Sequence, residues 1–218
     1  MGSVEEGLWL RAERQTAGRG RLGREWVSPP GNLYASTAVR LRPSDPLASD
    51  LSLMAGVAVE EAVTIVLDAA GQPAAPALKW PNDLLIDGAK VAGILLERRD
   101  DVVVVGIGVN LAHHPDLPDK VTVSLASLGA PTQPAAFVEL LAETFARWLA
   151  RWRSEGLRPV RERWLARAHP VGTALLAQLP DGVVLNGLFD GLDAQGSLLL
   201  RLASGERRVI HAGDLVLL

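Results

Sequence analysis

The chain has 218 residues, of which 48% are hydrophobic and 22% are charged, so it is long enough to bury a core and lacks the composition of a disordered protein. It contains no cysteine, which excludes disulfides, a thiolate nucleophile and any metal site that needs sulfur. The formal net charge of −3 argues against a broad nucleic-acid-binding surface, since such a surface neutralises many phosphates. No apolar run reaches the roughly 18 residues of a membrane span, and we expect a cytoplasmic protein.

The first half of the chain predicts strands around one helix. "LWLRAE" and "LYASTAVRL" alternate as strands do, and residues 50–70 place apolar side chains at helical spacing. Ser49 or Asp50 is the candidate N-cap of this helix, and Gly71 follows its end. The stretch "ALKWPNDLLIDGAKVAGILLERRDDVVVVGIGVNL" then predicts three antiparallel strands, with Asp87-Gly88 as a type I′ turn.

The second half predicts two helices and then a change of character. "PAAFVELLAETFARWLARWRSE" is amphipathic and is followed by Gly156, and "RPVRERWLARA" predicts another helix. From about residue 170 the chain offers four short strands separated by turns, the last of them "RRVIHAGDLVLL". We therefore predict a boundary between a larger domain, residues 1–169, and a small barrel or sandwich, residues 170–218.

The glycines of "GRGRLGREW" have the spacing G-x-G-x-x-G, but the segment does not continue as a dinucleotide-binding turn. Pro29-Pro30 prevents the helix that such a turn requires, and no G-K-[ST] sequence completes a P-loop. Arginine forks and glycine amides suit anionic oxygens, so a mobile anion-binding loop is one interpretation and a solvated surface loop is the other. Five arginines lie in or near this stretch: Arg11, Arg14, Arg19, Arg21 and Arg24.

A second cluster of polar residues lies in "KWPNDLLIDGAKVAGILLE". Lys79 ends a predicted strand, and Lys90 follows the next hairpin turn, so the two lysines could converge on one anion. Gly93 leaves room for a ligand to approach the strand. The alternative is that both lysines are ordinary exposed residues and that Gly93 marks a bulge. The four histidines lack the spacing of a metal site.

Taken in order, "RQTAGRGRLGREWVSPPGNLYAS", "KWPNDLLIDGAKVAGILLE" and "GIGVNL" resemble the biotin protein ligases. The resemblance implies an α+β fold, in which a mixed, mainly antiparallel sheet with flanking helices is joined to a small C-terminal SH3-like β-barrel. It also implies a reaction in two steps. Biotin and Mg-ATP give biotinyl-5′-adenylate, and a lysine of the biotin carboxyl carrier protein of acetyl-CoA carboxylase then receives the biotin.

The resemblance also implies roles for individual residues. Lys90, Arg19 and Lys79 are the expected catalytic residues, with Lys79 as a phosphate contact. Trp26 is expected beside the adenine, and Asn110 at the ribose or adenine. The expected biotin contacts are Gln15, Gly18, Arg19, Arg21, Ser36, Lys90 and Gly93. The expected contacts to ATP and the adenylate are Arg19, Arg21, Arg24, Trp26, Lys79, Asn82, Asp83 and Asn110, with Asn82 and Asp83 at the Mg-nucleotide or the acceptor lysine.

Two departures from the family pattern bear on partners. We expect no DNA binding, because no N-terminal helix-turn-helix domain precedes the first motif. The family pattern also places a strand, a Ser-Thr-Asn segment and a helix before the first motif, whereas only "MGSVEEG" precedes it in this sequence. The resemblance allows a homodimer formed through sheet edges. Two other functions stay open: a lipoate or octanoate ligase or transferase of the same fold, and a non-catalytic module that binds anions.

Overall fold

The computed structural model describes residues 5–117 and 121–218. A six-stranded antiparallel sheet forms the larger part of the molecule, in the order β1-β2-β6-β5-β4-β3. Residues 76–109 form a continuous antiparallel meander of four strands, one more than the three predicted for this stretch, because each turn is short enough to pair neighbouring strands. The strands are β1 (Trp9–Ala12), β2 (Leu33–Arg40), β3 (Pro76–Lys79), β4 (Asp83–Ile86), β5 (Ala89–Arg99) and β6 (Val102–Val109).

The hairpin between β4 and β5 has the turn that its sequence predicts. Asp87 and Gly88 both have positive φ, 50° and 79°, as a type I′ turn requires. Glycine adopts this conformation without steric cost, and aspartate tolerates it better than most residues. The turn fixes the register of the two strands that carry the lysine and glycine of the second motif.

Three helices cover one face of the sheet. They are α1 (Leu51–Ala69), α2 (Pro134–Glu155) and α3 (Leu157–Ala166), close to the predicted ranges. Gly156 ends α2 with a φ of 77°, which lets the chain turn directly into α3. Helix α1 packs on β3, β4 and β5, and its buried side chains form one core with alternate residues of β6, such as Val103, Val105 and Ile107. The helices thereby leave the opposite face of the sheet open.

The C-terminal region is a five-stranded antiparallel sheet in the order β10-β9-β8-β7-β11, which confirms the antiparallel sheet expected there. Within residues 121–218 the end strands β10 and β11 do not pair with each other. The segment predicted as one last strand is two, because the chain turns between Ile210 and Asp214. The strands are β7 (Ala174–Gln178), β8 (Val184–Leu192), β9 (Leu198–Arg201), β10 (Arg207–Ile210) and β11 (Asp214–Leu217).

The C-terminal sheet packs against the larger part of the molecule. The indole N–H of Trp80 donates a hydrogen bond to the carbonyl of Gly196, at 3.2 Å. Glu60 of α1 is fully buried and pairs with Arg163 and Arg167 at the end of α3, at 2.7 and 3.3 Å. These contacts fix the helix that leads into the C-terminal sheet. None of the helices within the described ranges combines the length and apolar character that a membrane crossing requires.

Candidate functional site

The open face of the sheet carries the residues of both motifs in one row. In the strand register, Lys79 lies opposite Asp83, Asp83 opposite Gly93, and Gly93 opposite Gly108. These four residues therefore stand side by side on four neighbouring strands. Residues that are paired across antiparallel strands point to the same face. A neighbouring row pairs Ser36 with Gly106, on the same open face. The site therefore has polar residues at one end and a floor of glycines.

A β-bulge brings Lys90 to the same face as Gly93. Strict alternation would put residues three positions apart on opposite faces of a strand. The register shifts between Leu84 and Leu85, and the consecutive residues Val91 and Ala92 are both fully buried in the core. Lys90 Nζ accordingly lies 3.1 Å from the position that a Cβ on Gly93 would occupy.

Trp26 lies against the glycine floor. A Cβ added to Gly108 would stand 2.6 Å from two carbons of the indole ring, and one added to Gly93 would stand 3.1 Å from a third. Lys90 Nζ lies 5.4 Å from the centre of the same ring, a cation–π distance. The indole Nε1 is buried and has no hydrogen-bond partner among the residues that the structure describes. Sequence alone suggested that Gly93 leaves room for a ligand, whereas here Trp26 uses that room.

Residues 18–26, here called the arginine loop, form a small closed turn that contains one short 3-10 helix, Arg21–Gly23, and no α-helix. The backbone N–H of Trp26 donates to the carbonyl of Gly18 at 3.0 Å. The backbones of Arg19 and Glu25 form an isolated antiparallel β-bridge. A side chain at position 18 would lie 2.5 Å from the Trp26 carbonyl oxygen, so the turn closes only with glycine there. Gln15 stands at the base of the loop, where its side-chain oxygen accepts a hydrogen bond from Ser28 at 3.0 Å.

The arginines of the loop differ in their contacts. Arg19 is exposed. Arg21 Nη1 donates to Asn82 Oδ1 at 3.4 Å and pairs with Asp214 at 3.2 Å. Arg24 Nη2 pairs with the other carboxylate oxygen of Asp214 at 2.8 Å. Two loop arginines are thus held by the C-terminal sheet, while the third extends into solvent.

The two lysines of the second motif have different surroundings. Lys90 Nζ donates to Asp83 Oδ1 at 2.5 Å, and both side chains are less than one-fifth exposed. Lys79 stands beside His169, because Leu78 and Ala168 form a parallel bridge and both residues follow it. Burial, and secondarily the charge of Lys79, lowers the pKa of His169.

Asn110 lies at the end of β6, next to the floor, and is buried. Its side-chain amide donates to the carbonyl oxygens of Lys90, at 3.4 Å, and Val123, at 3.2 Å. Residues Val121 and Val123 also bond the backbone of Lys90, so this segment extends the sheet beside β5. The role of Asn110 at ribose or adenine stays a prediction, as do the ligand roles of the other site residues.

Sequence reasoning missed two site residues. Gly108 was recognised only as part of the strand motif "GIGVN". No pattern in a single sequence indicates that the indole of Trp26 will lie against this glycine. Asp214 was one of several acids in a tail of short strands, and it lies 193 residues from Arg21 in sequence. A carboxylate followed by a hydrophobic strand is too common to signal a site. Among the described residues, no group of three His, Asp or Glu side chains could hold a metal ion.

Comparison with known proteins places this chain in a family. The Biotin/lipoate A/B protein ligase family matches residues 2–111, and the Biotin protein ligase C terminal domain matches residues 175–218. A biotin–[acetyl-CoA-carboxylase] ligase of Paracoccus denitrificans is 41% identical, covering 94% of this chain and 88% of that protein. The enzyme of the same name from Mycobacterium tuberculosis is 38% identical, covering 99% of this chain and 80% of that protein.

Solved structures agree with this placement. The biotin protein ligase of Aquifex aeolicus in complex with biotin and ATP superimposes with a TM-score of 0.85 at 25% identity, covering 100% of this chain and 92% of that one. The Leishmania major enzyme in complex with biotinyl-5-AMP gives a TM-score of 0.64 at 27% identity, covering 94% and 88%. Two family models match the chain, and relatives that align with nearly all of it are 38% and 41% identical. The chain therefore belongs to the biotin/lipoate A/B protein ligase family, among its biotin protein ligases.

Proposed function

We propose that this protein activates biotin with ATP and transfers it to a lysine of a biotin carboxyl carrier protein. In the first step a carboxylate oxygen of biotin attacks the α-phosphorus of ATP, which forms biotinyl-5′-adenylate and releases pyrophosphate. In the second step the amine of the acceptor lysine attacks the acyl carbon, and AMP leaves. The observation that carries this proposal is the convergence of Lys90, Trp26 and the arginine loop on a glycine floor, in a chain whose relatives are named for this reaction.

Neither step needs a covalent intermediate on the enzyme, so positioning and charge stabilisation supply the catalysis. Lys90 is well placed for this because it is mostly buried, where its charge is screened little by water. Arg19 is exposed and free to reach an anion from above the floor. We propose that Lys90 and Arg19 face the biotin carboxylate and the phosphates, and that Lys79 approaches the phosphates from the end of the row.

Trp26 supports a site for the adenine ring. An indole that lies against glycines presents its other face to a ligand, and stacking of a base on an aromatic ring contributes about 1–3 kcal/mol. Asn110 directly follows β6, the strand that contains Gly108. We propose the adenine at Trp26 and Asn110, and biotin beside Ser36 and Gly106, where the floor continues without a side chain.

Magnesium enters this proposal as part of the nucleotide substrate. Magnesium prefers six oxygen ligands in an octahedron, and this region offers Asp83, which pairs with Lys90, and the Asn82 oxygen, which accepts from Arg21. These two oxygens supply too few ligands for a dedicated protein site. Phosphates and water would complete the coordination of a magnesium ion that arrives with ATP.

The test is biotin-dependent exchange of labelled pyrophosphate into ATP. We expect exchange with biotin and none with lipoate or octanoate, since the alternative activities of this fold use those acids. Transfer is tested with a purified carrier domain, on which we expect one biotin at one lysine. Exchange that depends on lipoate and not on biotin would refute the proposal. Polyanion binding that weakens with salt, without any ATP turnover, would indicate the anion-binding module.

We propose two domains, residues 1–169 and 170–218; the C-terminal family match, which begins at residue 175, and β7, which begins at Ala174, support this boundary. A homodimer, the absence of DNA binding and a cytoplasmic location stay predictions. Two of the relatives, from Escherichia coli and Bacillus subtilis, are named bifunctional ligase/repressor, and this chain spans 63% and 66% of their lengths.

A further inference from the structure

We propose that Asp214 of the C-terminal sheet is a positioning residue for adenylate formation: it orients Arg21 and Arg24 of the arginine loop toward the phosphates of ATP. This inference rests on the proposed function, because the phosphates belong to that reaction. Asp214 does not touch the glycine floor and acts through the two arginines.

The geometry shows one carboxylate shared between two arginines. Oδ1 of Asp214 lies 3.2 Å from Arg21 Nη1, and Oδ2 lies 2.8 Å from Arg24 Nη2. The same Nη1 also donates to the carbonyl of Gly213, at 3.2 Å, and to Asn82 Oδ1, at 3.4 Å. Arg21 is therefore held from the C-terminal sheet and from the turn between β3 and β4 at once.

These contacts use one edge of the Arg21 guanidinium and leave the other for a ligand. A guanidinium has five N–H donors in a fixed plane, and the contacts above all go to Nη1. Holding that nitrogen sets the plane of the group, which lowers the entropy lost when Nη2 and Nε bind an anion. Asp214 also offsets the repulsion between two cations that approach the same phosphates.

The loop and the sheet are shaped for this contact. Arg24 Nε donates to the carbonyl of Arg21 at 3.2 Å, so the two side chains are held together within the loop. On the other side, a Cβ at Gly213 would lie 2.7 Å from the carbonyl oxygen of Gln178, so only glycine lets the chain turn here and present its own carbonyl beside Asp214. The side chains of Arg21 and Asp214 are each 24% exposed, so water screens the contact only in part.

The kinetic test compares Asp214→Asn with two matched variants. Asp190→Asn makes the same change at a carboxylate of the same sheet that pairs with Arg201 and Arg207, away from the loop. Asp214→Glu keeps the charge. We expect Asp214→Asn to raise the KM for ATP in pyrophosphate exchange about tenfold with a smaller change in kcat. Asp214→Glu should recover part of the loss, and Asp190→Asn should behave as the wild type.

Other kinetic results would overturn the proposal. A purely structural role of Asp214 would lower kcat and the melting temperature and leave the KM for ATP unchanged. A lower KM for ATP in Asp214→Asn would mean that the carboxylate competes with phosphate for the arginines. Either result would exclude the positioning role.

A second measurement does not depend on activity and separates this inference from the proposed function. Trypsin cuts after arginine, and pairing with Asp214 protects the bonds after Arg21 and Arg24. In the protein without ligands, mass spectrometry should detect cleavage at these two bonds several times faster in Asp214→Asn than in the wild type or in Asp190→Asn. Equal cleavage rates would refute the contact. If the wild type lacked exchange activity but showed this protection, the proposed function would fail and the contact would stand.

Discussion

The indole of Trp26 lies against the backbone of Gly108, so closely that a Cβ at position 108 would stand 2.6 Å from two ring carbons. The two residues come from the arginine loop and from the central strand β6. Their contact joins the loop to the rigid part of the sheet. It also makes the absence of a side chain at position 108 a requirement for the geometry of the site.

The first prediction concerns this contact. Gly108→Ala should displace Trp26 and raise the KM for ATP in pyrophosphate exchange at least about tenfold, with a stability loss of about 1–3 kcal/mol from overpacking. Gly106→Ala is the control for stability, because a Cβ there meets no atom closer than 3.6 Å and should leave the melting temperature nearly unchanged. In a Trp26→Ala background the cost of Gly108→Ala should largely disappear; a full cost in that background would contradict the explanation.

The second prediction concerns the pair of Lys90 and Asp83. Lys90→Ala should lower kcat/KM for exchange about a hundredfold, because a buried cation that faces developing charge is lost. Arg98→Ala, an exposed cation on the same strand, should leave the rate unchanged. If the two changes had equal effects, Lys90 would have no special role.

The third prediction separates two arginines of the loop. Arg19→Ala removes an exposed side chain and should change the free energy of unfolding by less than about 0.5 kcal/mol, while sharply raising the KM for biotin or ATP. Arg21→Ala should raise KM and also speed tryptic cleavage after Arg24, because the contacts of Arg21 to Asn82 and Asp214 are lost. Normal kinetics in Arg19→Ala would remove Arg19 from the site.

The fourth prediction concerns Asp50 at the start of α1. Burial raises the pKa of Asp50 from 3.8 to about 6, against a smaller opposing effect of the hydrogen bond from Trp152 Nε1. Its Oδ1 is buried and has no partner among the described residues. Because the folded pKa lies above the unfolded one, ionisation opposes folding fully above about pH 6, and this cost vanishes below about pH 4.

Asp50→Asn should therefore stabilise the protein above pH 6, by an amount on the order of 1–3 kcal/mol, and the gain should shrink as the pH falls. Urea unfolding of wild type and variant at several pH values measures it. Asp68→Asn, the same change at the exposed end of the same helix, should show no such trend. A stability difference that does not vary with pH would disprove the assignment to Asp50.

The fifth prediction concerns the buried Glu60. Glu60→Ala leaves Arg163 and Arg167 without their carboxylate and should cost about 3–5 kcal/mol of unfolding free energy. Glu162→Ala, an exposed acid on α3, should cost less than about 1 kcal/mol. Equal melting temperatures for the two variants would show that the network does not stabilise the packing of α3.

Much of the fold could be predicted, because it depends on neighbours in sequence. Helical spacing identified α1 and α2, and Asp87-Gly88 identified a turn whose backbone few other residues adopt. Pro29-Pro30 excluded a dinucleotide-binding helix for the same local reason. The last predicted strand was wrong in one respect, since the chain breaks between Ile210 and Asp214, and Gly213 in that break is a local signal that the prediction did not use.

Sequence by itself determined most of the secondary structure and the resemblance to biotin protein ligases, since periodicity and the order of the motifs carry that information; the anion-binding roles of the two motifs stay predictions. Tertiary structure alone decided which residues meet. A bulge turned Lys90 to the side of Gly93, the strand register placed Gly108 beneath Trp26, and packing of the C-terminal sheet brought Asp214 to Arg21. Each of these depends on contacts between residues far apart in the chain, and such contacts form only when the whole core is buried.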